Sequence, residues 1–69
     1  MVKIWRNRVW AGTQNLSSCP AKYKPGVIEL MAQDIEDGTH TKDALRQLVE
    51  AGNVSEADYK LITGEDYDA

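Results

Sequence analysis

His40 is the only histidine of the chain and lies between Gly38 and Thr41, with Asp37 and Asp43 close in sequence. A general base needs a nucleophile and an orienting group converging on it. The two neighbouring carboxylates are accounted for as a helix-end acid and a first-turn acid, so His40 reads as a turn residue. Cys19, the only cysteine, has Lys22 and a helix start after Ser18 as the features that could depress a thiol pKa. A small, semi-buried apolar side chain is the simpler assignment. Glu65, Asp66 and Asp68 invite a calcium reading, yet the Asp/Asn alternation of an EF-hand loop, with its sixth-position Gly and twelfth-position Glu, is missing. Trp5, Arg6, Arg8 and Trp10 interleave cations with aromatic rings, a combination that stacks bases and contacts phosphates. Two arginines are few, and the acidic remainder of the chain opposes attraction to nucleic acid. Trp5 is therefore read as core volume and Trp10 as a packing or partner-contact residue, tryptophan being enriched at binding hot spots.

No phosphate-cradling Gly-rich loop, GxSxG elbow or pair of catalytic carboxylates is written in the chain. One Cys and one His cannot assemble a Cys/His zinc site from a single copy. No catalytic residue, cofactor site or metal site is assigned, and the chain is not expected to be an enzyme.

The elements that would position these residues are clearest in the C-terminal half, where one helix-turn-helix junction is written twice. Ile35-Glu36-Asp37-Gly38-Thr39-His40-Thr41 lines up with Val49-Glu50-Ala51-Gly52-Asn53-Val54-Ser55, and Leu45 falls on Tyr59. In each copy a β-branched residue ends a helix, Gly follows where the left-handed conformation is needed, and a hydroxyl caps the next helix. Ser55 and Asp58 form a capping-box-like pair, and Val54 is placed to staple onto Tyr59. His40 occupies the slot that Val54 fills in the second copy.

Upstream, residues 2–11 fit a helical stripe through Ile4, Trp5, Arg8 and Val9, and also a short strand by alternation; a helix ending at Gly12 is favoured. Residues 12–24 read as an irregular loop, with Leu16 and Tyr23 anchoring it and Ser17 or Ser18 capping a turn around Pro20–Tyr23. Pro25 then sits in the first turn of a helix that stops at Gly38. It buries Val27, Ile28, Met31 and Ile35 and turns Glu29, Asp34 and Glu36 outward. A third helix runs from the Thr41 cap to Gly52 and a fourth from the Ser55 cap to Gly64, both too short to persist alone. Residues 65–69 form an acidic tail from which Tyr67 is expected to fold back on the fourth helix.

The chain is thus expected to be one small all-α domain, residues 1–69, of three to four short helices with tight Gly-capped turns. Its expected core is Ile4, Trp5, Val9, Val27, Ile28, Met31, Ile35, Leu45, Leu48, Val49, Val54, Tyr59 and Ile62. A chain of 69 residues buries only about 60% of its unfolded surface. With no disulfide available, stability must come from helix packing, a partner or self-association. No apolar run approaches the roughly 18 residues of a membrane span, and no leader pattern is found at the start. The reading is a soluble, intracellular protein, or one built into a larger particle, not secreted by a signal peptide. The net charge of −3 conceals a polarity: residues 1–24 carry five cations and no acid, and residues 25–69 carry eleven acids against three cations. Such asymmetry fits solvated faces of opposite sign or head-to-tail association.

From Thr41 to Ala69 the chain resembles the XkdX family of small phage proteins. The segment Val54-Ser55-Glu56-Ala57-Asp58-Tyr59 and the ending Ile62-Thr63-Gly64-Glu65-Asp66-Tyr67 carry the likeness. Trp5 to Gly12 is similar to that family's aromatic first helix, whereas residues 13–38 stand as an insertion. Gly-x-Val-Ser-x-x-Asp-Tyr also resembles the SHOCT helical-hairpin motif of oligomerising bacterial proteins. The family resemblance implies a setting among tail and baseplate genes and carries over no catalytic residue. The expected function is a non-enzymatic phage or prophage protein that binds other proteins, with Trp10, Glu65, Asp66 and Tyr67 as contacts. Nucleic acid, membrane and small-molecule partners are not expected. The alternative is an acidic regulator or inhibitor that covers a nucleic-acid-binding surface of a host protein, using Glu29, Asp34, Glu36, Asp37, Glu50, Glu56 and Asp58 as an outward phosphate-like track.

Overall fold

A computed structural model describes residues 1–67 and contains α1 (Val2–Ala11), a 3-10 turn (Leu16–Ser18), α2 (Lys24–Glu36), α3 (Lys42–Ala51) and α4 (Glu56–Thr63). The expected all-α domain is what the described residues form; Asp68 and Ala69, the end of the expected acidic tail, lie outside them.

Residues 2–11 are helical. Val2, Trp5 and Val9 recur at helical spacing along one face and pack on the core, Val9 being fully buried. Ile4, expected in the core, is instead 45% exposed. It sits about 100° around the helix from Trp5 and so points away from the packed face. Val2 lies against Gly26, where a Cβ would come within 3.2 Å of its side chain, and Trp10 reaches Asp34. The separation is 24 residues at both points, so α1 and α2 run side by side in the same direction. The chain between them must return along the full length of the pair.

That return is residues 12–23, and it is ordered. The Leu16 amide donates to the Asn53 carbonyl at 2.7 Å, and the Asn53 side-chain amide donates to the Gly12 and Gln14 carbonyls and to Asn15 Oδ1. Leu16 and Cys19 enter the core, and half-buried Tyr23 packs against it. The single turn around Pro20–Tyr23 forms, but the Pro20 carbonyl receives the Tyr23 and Lys24 amides without a serine side-chain cap.

The α3–α4 hairpin follows the sequence closely. The Thr41 hydroxyl accepts the Ala44 amide at 3.2 Å and the Ser55 hydroxyl accepts the Asp58 amide at 3.1 Å. Gly52 closes α3 at φ +88. The Asn53 amide donates to the Leu48 carbonyl and the Gly52 amide to that of Val49, a Schellman closure. Leu45, Leu48, Val54, Tyr59 and Ile62 form this half of the core. Ile28, Ile35 and Val49 are only partly buried at its edge. The capping box is half made: the Asp58 carboxylate turns away from the cap to Lys24, its nearest ion-pair partner.

Candidate interaction site

The N-terminus of α2 and the middle of α4 enclose an apolar groove of about 420 Å³, lined by Ala21, Lys24, Pro25, Ile28 and Leu61. Pro25 belongs there because its missing amide costs nothing in a first turn. Ile28 comes one turn later on the same face. Leu61 is 65% exposed although it lines this recess. Beneath it, one turn earlier on α4, Asp58 is 3% exposed. Its Oδ1 lies 3.3 Å from Lys24 Nζ, and its Oδ2 has no hydrogen-bond partner among the described residues. Asp58 was expected on an outward face. It is drawn inward because α4 packs on α2 with Lys24 at the contact, and the buried carboxylate is stabilised by that charge.

A second cluster joins α1 to the end of α2. The Trp10 indole N–H donates to Asp34 Oδ2 at 2.9 Å, and Arg6 Nη1 stands 3.5 Å from Oδ1. His40 stacks on Trp10 with ring centroids 4.0 Å apart and planes 10° apart. Its backbone amide donates to the Asp34 carbonyl. Asp34 is 7% exposed, which corrects its expected outward placement: Trp10 needs an acceptor and Arg6 a counter-charge. The repeat holds the available signal, because it aligns Asp34 with Leu48, a core position. The two junctions share that backbone bond, since the Val54 amide donates to the Leu48 carbonyl. They differ at the glycine turn, where Asp37 Oδ1 accepts both the amide and the hydroxyl of Thr39. Those hydrogen bonds, the hydroxyl's first, hold the Asp37 carboxyl below the ordinary range.

The C-terminal contact residues expected from the sequence are all engaged within the chain. Glu65 meets Lys42 Nζ at 2.6 Å and Asp66 meets that of Lys60 at 3.3 Å. Tyr67 packs edge-on to Tyr59 with centroids 5.3 Å apart, and the Arg46 guanidinium lies over both rings. Tyr67 thus folds back on α4, as the sequence suggests. Trp10 is half-buried by its own cluster.

Cys19 is a free thiol inside the core, and burial pushes its pKa up, partly opposed by Lys24. No group of three His, Cys, Asp or Glu side chains among the described residues could hold a metal ion. No described helix is long and apolar enough to cross a membrane. With Asp34 and Asp58 buried, the seven acids do not form a continuous outward track.

A four-helix domain with an apolar recess and a hydrogen-bonded C-terminal hairpin is the class of molecule these features define. Its C-terminal part matches a known family: residues 36–67 fit the Phage_XkdX family, described as a phage uncharacterised protein. Over those residues, from the end of α2 through α4 to Tyr67, the chain is similar to that family of phage proteins. The Trp5–Gly12 likeness lies outside the matched span, as do four of the five groove-lining residues and all of α1. No curated protein and no solved structure matches the chain.

Proposed function

We propose that this phage protein works by binding other proteins, without catalysis, as an accessory associated with the phage tail or baseplate. The observation that supports this best is the groove between α2 and α4, where Leu61 remains two-thirds exposed beside Pro25 and Ile28. An apolar recess on so small a surface has the character of a contact site. Trp10, Glu65, Asp66 and Tyr67 are secondary contacts in this reading, since each already has a partner within the chain. Proteins, not nucleic acid, membranes or small molecules, are the partners, and the setting is the bacterial cytoplasm or the phage particle.

The test is to tag the chain in the phage that encodes it and examine purified particles by immunoblotting and immunogold labelling. Label at the tail or baseplate that is lost with Leu61→Glu supports the reading. Absence of label from the tail and baseplate removes the association. Retention with Leu61→Glu removes the groove as its basis.

A further inference from the structure

Resting on the reading that the groove docks protein, we propose that its occupant is the first turn of α1 from a second copy of this chain, with Met1 and Ile4 seated against Leu61. Among the described residues three large hydrophobic side chains are exposed: Met1 at 63%, Ile4 at 45% and Leu61 at 65%. Met1, at the N-cap of α1, and Ile4 in its first turn stand three residues apart, which puts them on one side of the helix as a candidate protrusion. Leu61 lines the recess that lacks one.

The protrusion does not fill its own groove. Val2 packs against Gly26, so α1 lies on that side of α2. Pro25 and Ile28, the groove-lining positions, are about 100° and 160° around the helix from Gly26, both to the same side. The two features therefore face different ways, and joining them requires another molecule.

Charge selects the same pairing. Helix α1 carries Lys3, Arg6 and Arg8 and no acid. Arg6 is held by Asp34, whereas Lys3 and Arg8 have no ion pair among the described residues. The groove walls α2 and α4 carry five acids against two lysines. On these helices Glu29 and Glu56 are exposed and have no ion pair among the described residues. Glu29 follows Pro25 by one helical turn, and in the proposed contact Lys3 of an incoming turn meets it. The unpaired cations of α1 thus dock on walls whose unpaired charges are acidic. Because protrusion and recess are different surfaces, the contact is head-to-tail and closes as a ring or extends as a filament.

The full-length chain tests this by light scattering and sedimentation across a concentration series, beside Ile4→Glu and Leu61→Glu. Both positions are exposed, and unchanged circular dichroism confirms that the variants fold. The expected result is a mass that rises with concentration, with dissociation shifted roughly tenfold or more in either variant. An equimolar mixture should restore a pair of defined mass, because Ile4→Glu keeps a working groove and Leu61→Glu a working protrusion. A wild-type chain that stays monomeric overturns the inference, as does assembly that survives either substitution. Neither result decides the groove's role in particle association, which Leu61→Glu reads separately in the phage.

Discussion

The indole N–H of Trp10 and the carboxylate of Asp34, 2.9 Å apart, fasten α1 to the C-terminal end of α2. Asp34 has a second partner in Arg6, so one carboxylate terminates two contacts from the same helix. Asp34→Ala leaves both donors without an acceptor and is expected to destabilise the domain by about 1–3 kcal/mol. Trp10→Phe removes the donor and leaves the ring. In urea denaturation the double variant should cost less than the sum of the two single ones, since they share one interaction.

Asn53 is the tie between the α3–α4 turn and the return loop. Asn53→Ala removes three side-chain hydrogen bonds to residues 12–15 and should cost about 1 kcal/mol. Asn53→Asp sets a carboxylate against the Gly12 and Gln14 carbonyl oxygens and should cost more. The Leu16 amide bonds to the Asn53 backbone, so its hydrogen exchange reports loosening of the loop without loss of that partner itself.

The hairpin was legible because its instructions are local. Thr41 and Ser55 cap the residue three ahead, and Gly52 and Gly64 take the left-handed conformation at helix ends. The 14-residue repeat even registers the backbone bonds to Asp34 and Leu48. Its alignment of Asp34 with the core position Leu48 is overridden by residue type, because a carboxylate reads as an outward residue until Trp10 is known to lie over it. The groove is illegible for a related reason: Pro25, Ile28 and Leu61 meet only after α4 packs on α2, and no periodicity links residues so far apart. Ile4 was misplaced since apolar character alone does not say which side of α1 faces inward.

The Lys42–Glu65 contact makes stability depend on pH in a definite direction. Hydrogen bonding to the ammonium, and then its charge, holds the Glu65 carboxyl below its ordinary value. The same contact raises Lys42. A depressed acid contributes fully above its unfolded pKa and loses that contribution as pH falls through the folded one; a raised lysine contributes below its unfolded pKa and loses it as pH rises through the folded one. The contact should therefore hold its full effect between about pH 5 and 9.5. Asp37, held down by Thr39, adds to the acid arm. Glu65→Gln should flatten both limbs of a plot of melting temperature against pH, with Asp37 leaving a residual acid slope.

Cys19 is buried and its thiol pKa is raised, so the thiolate is scarce near neutrality. A disulfide reagent at pH 8 should label it slowly in the folded protein and rapidly in denaturant. Fast labelling under native conditions would show that the 12–23 segment opens readily.

The parallel course of α1 and α2 has a kinetic meaning. The hairpin from Lys42 to Thr63 can close over a short span of chain, whereas α1 reaches Asp34 across 24 residues and Gly12 reaches Asn53 across 41. Closing the longer loops spends more entropy before any contact is gained. The first helix should therefore dock late in folding and detach early in opening. Its amides, exchanging faster than those of α3, would mark it as the least protected cooperative unit of the chain.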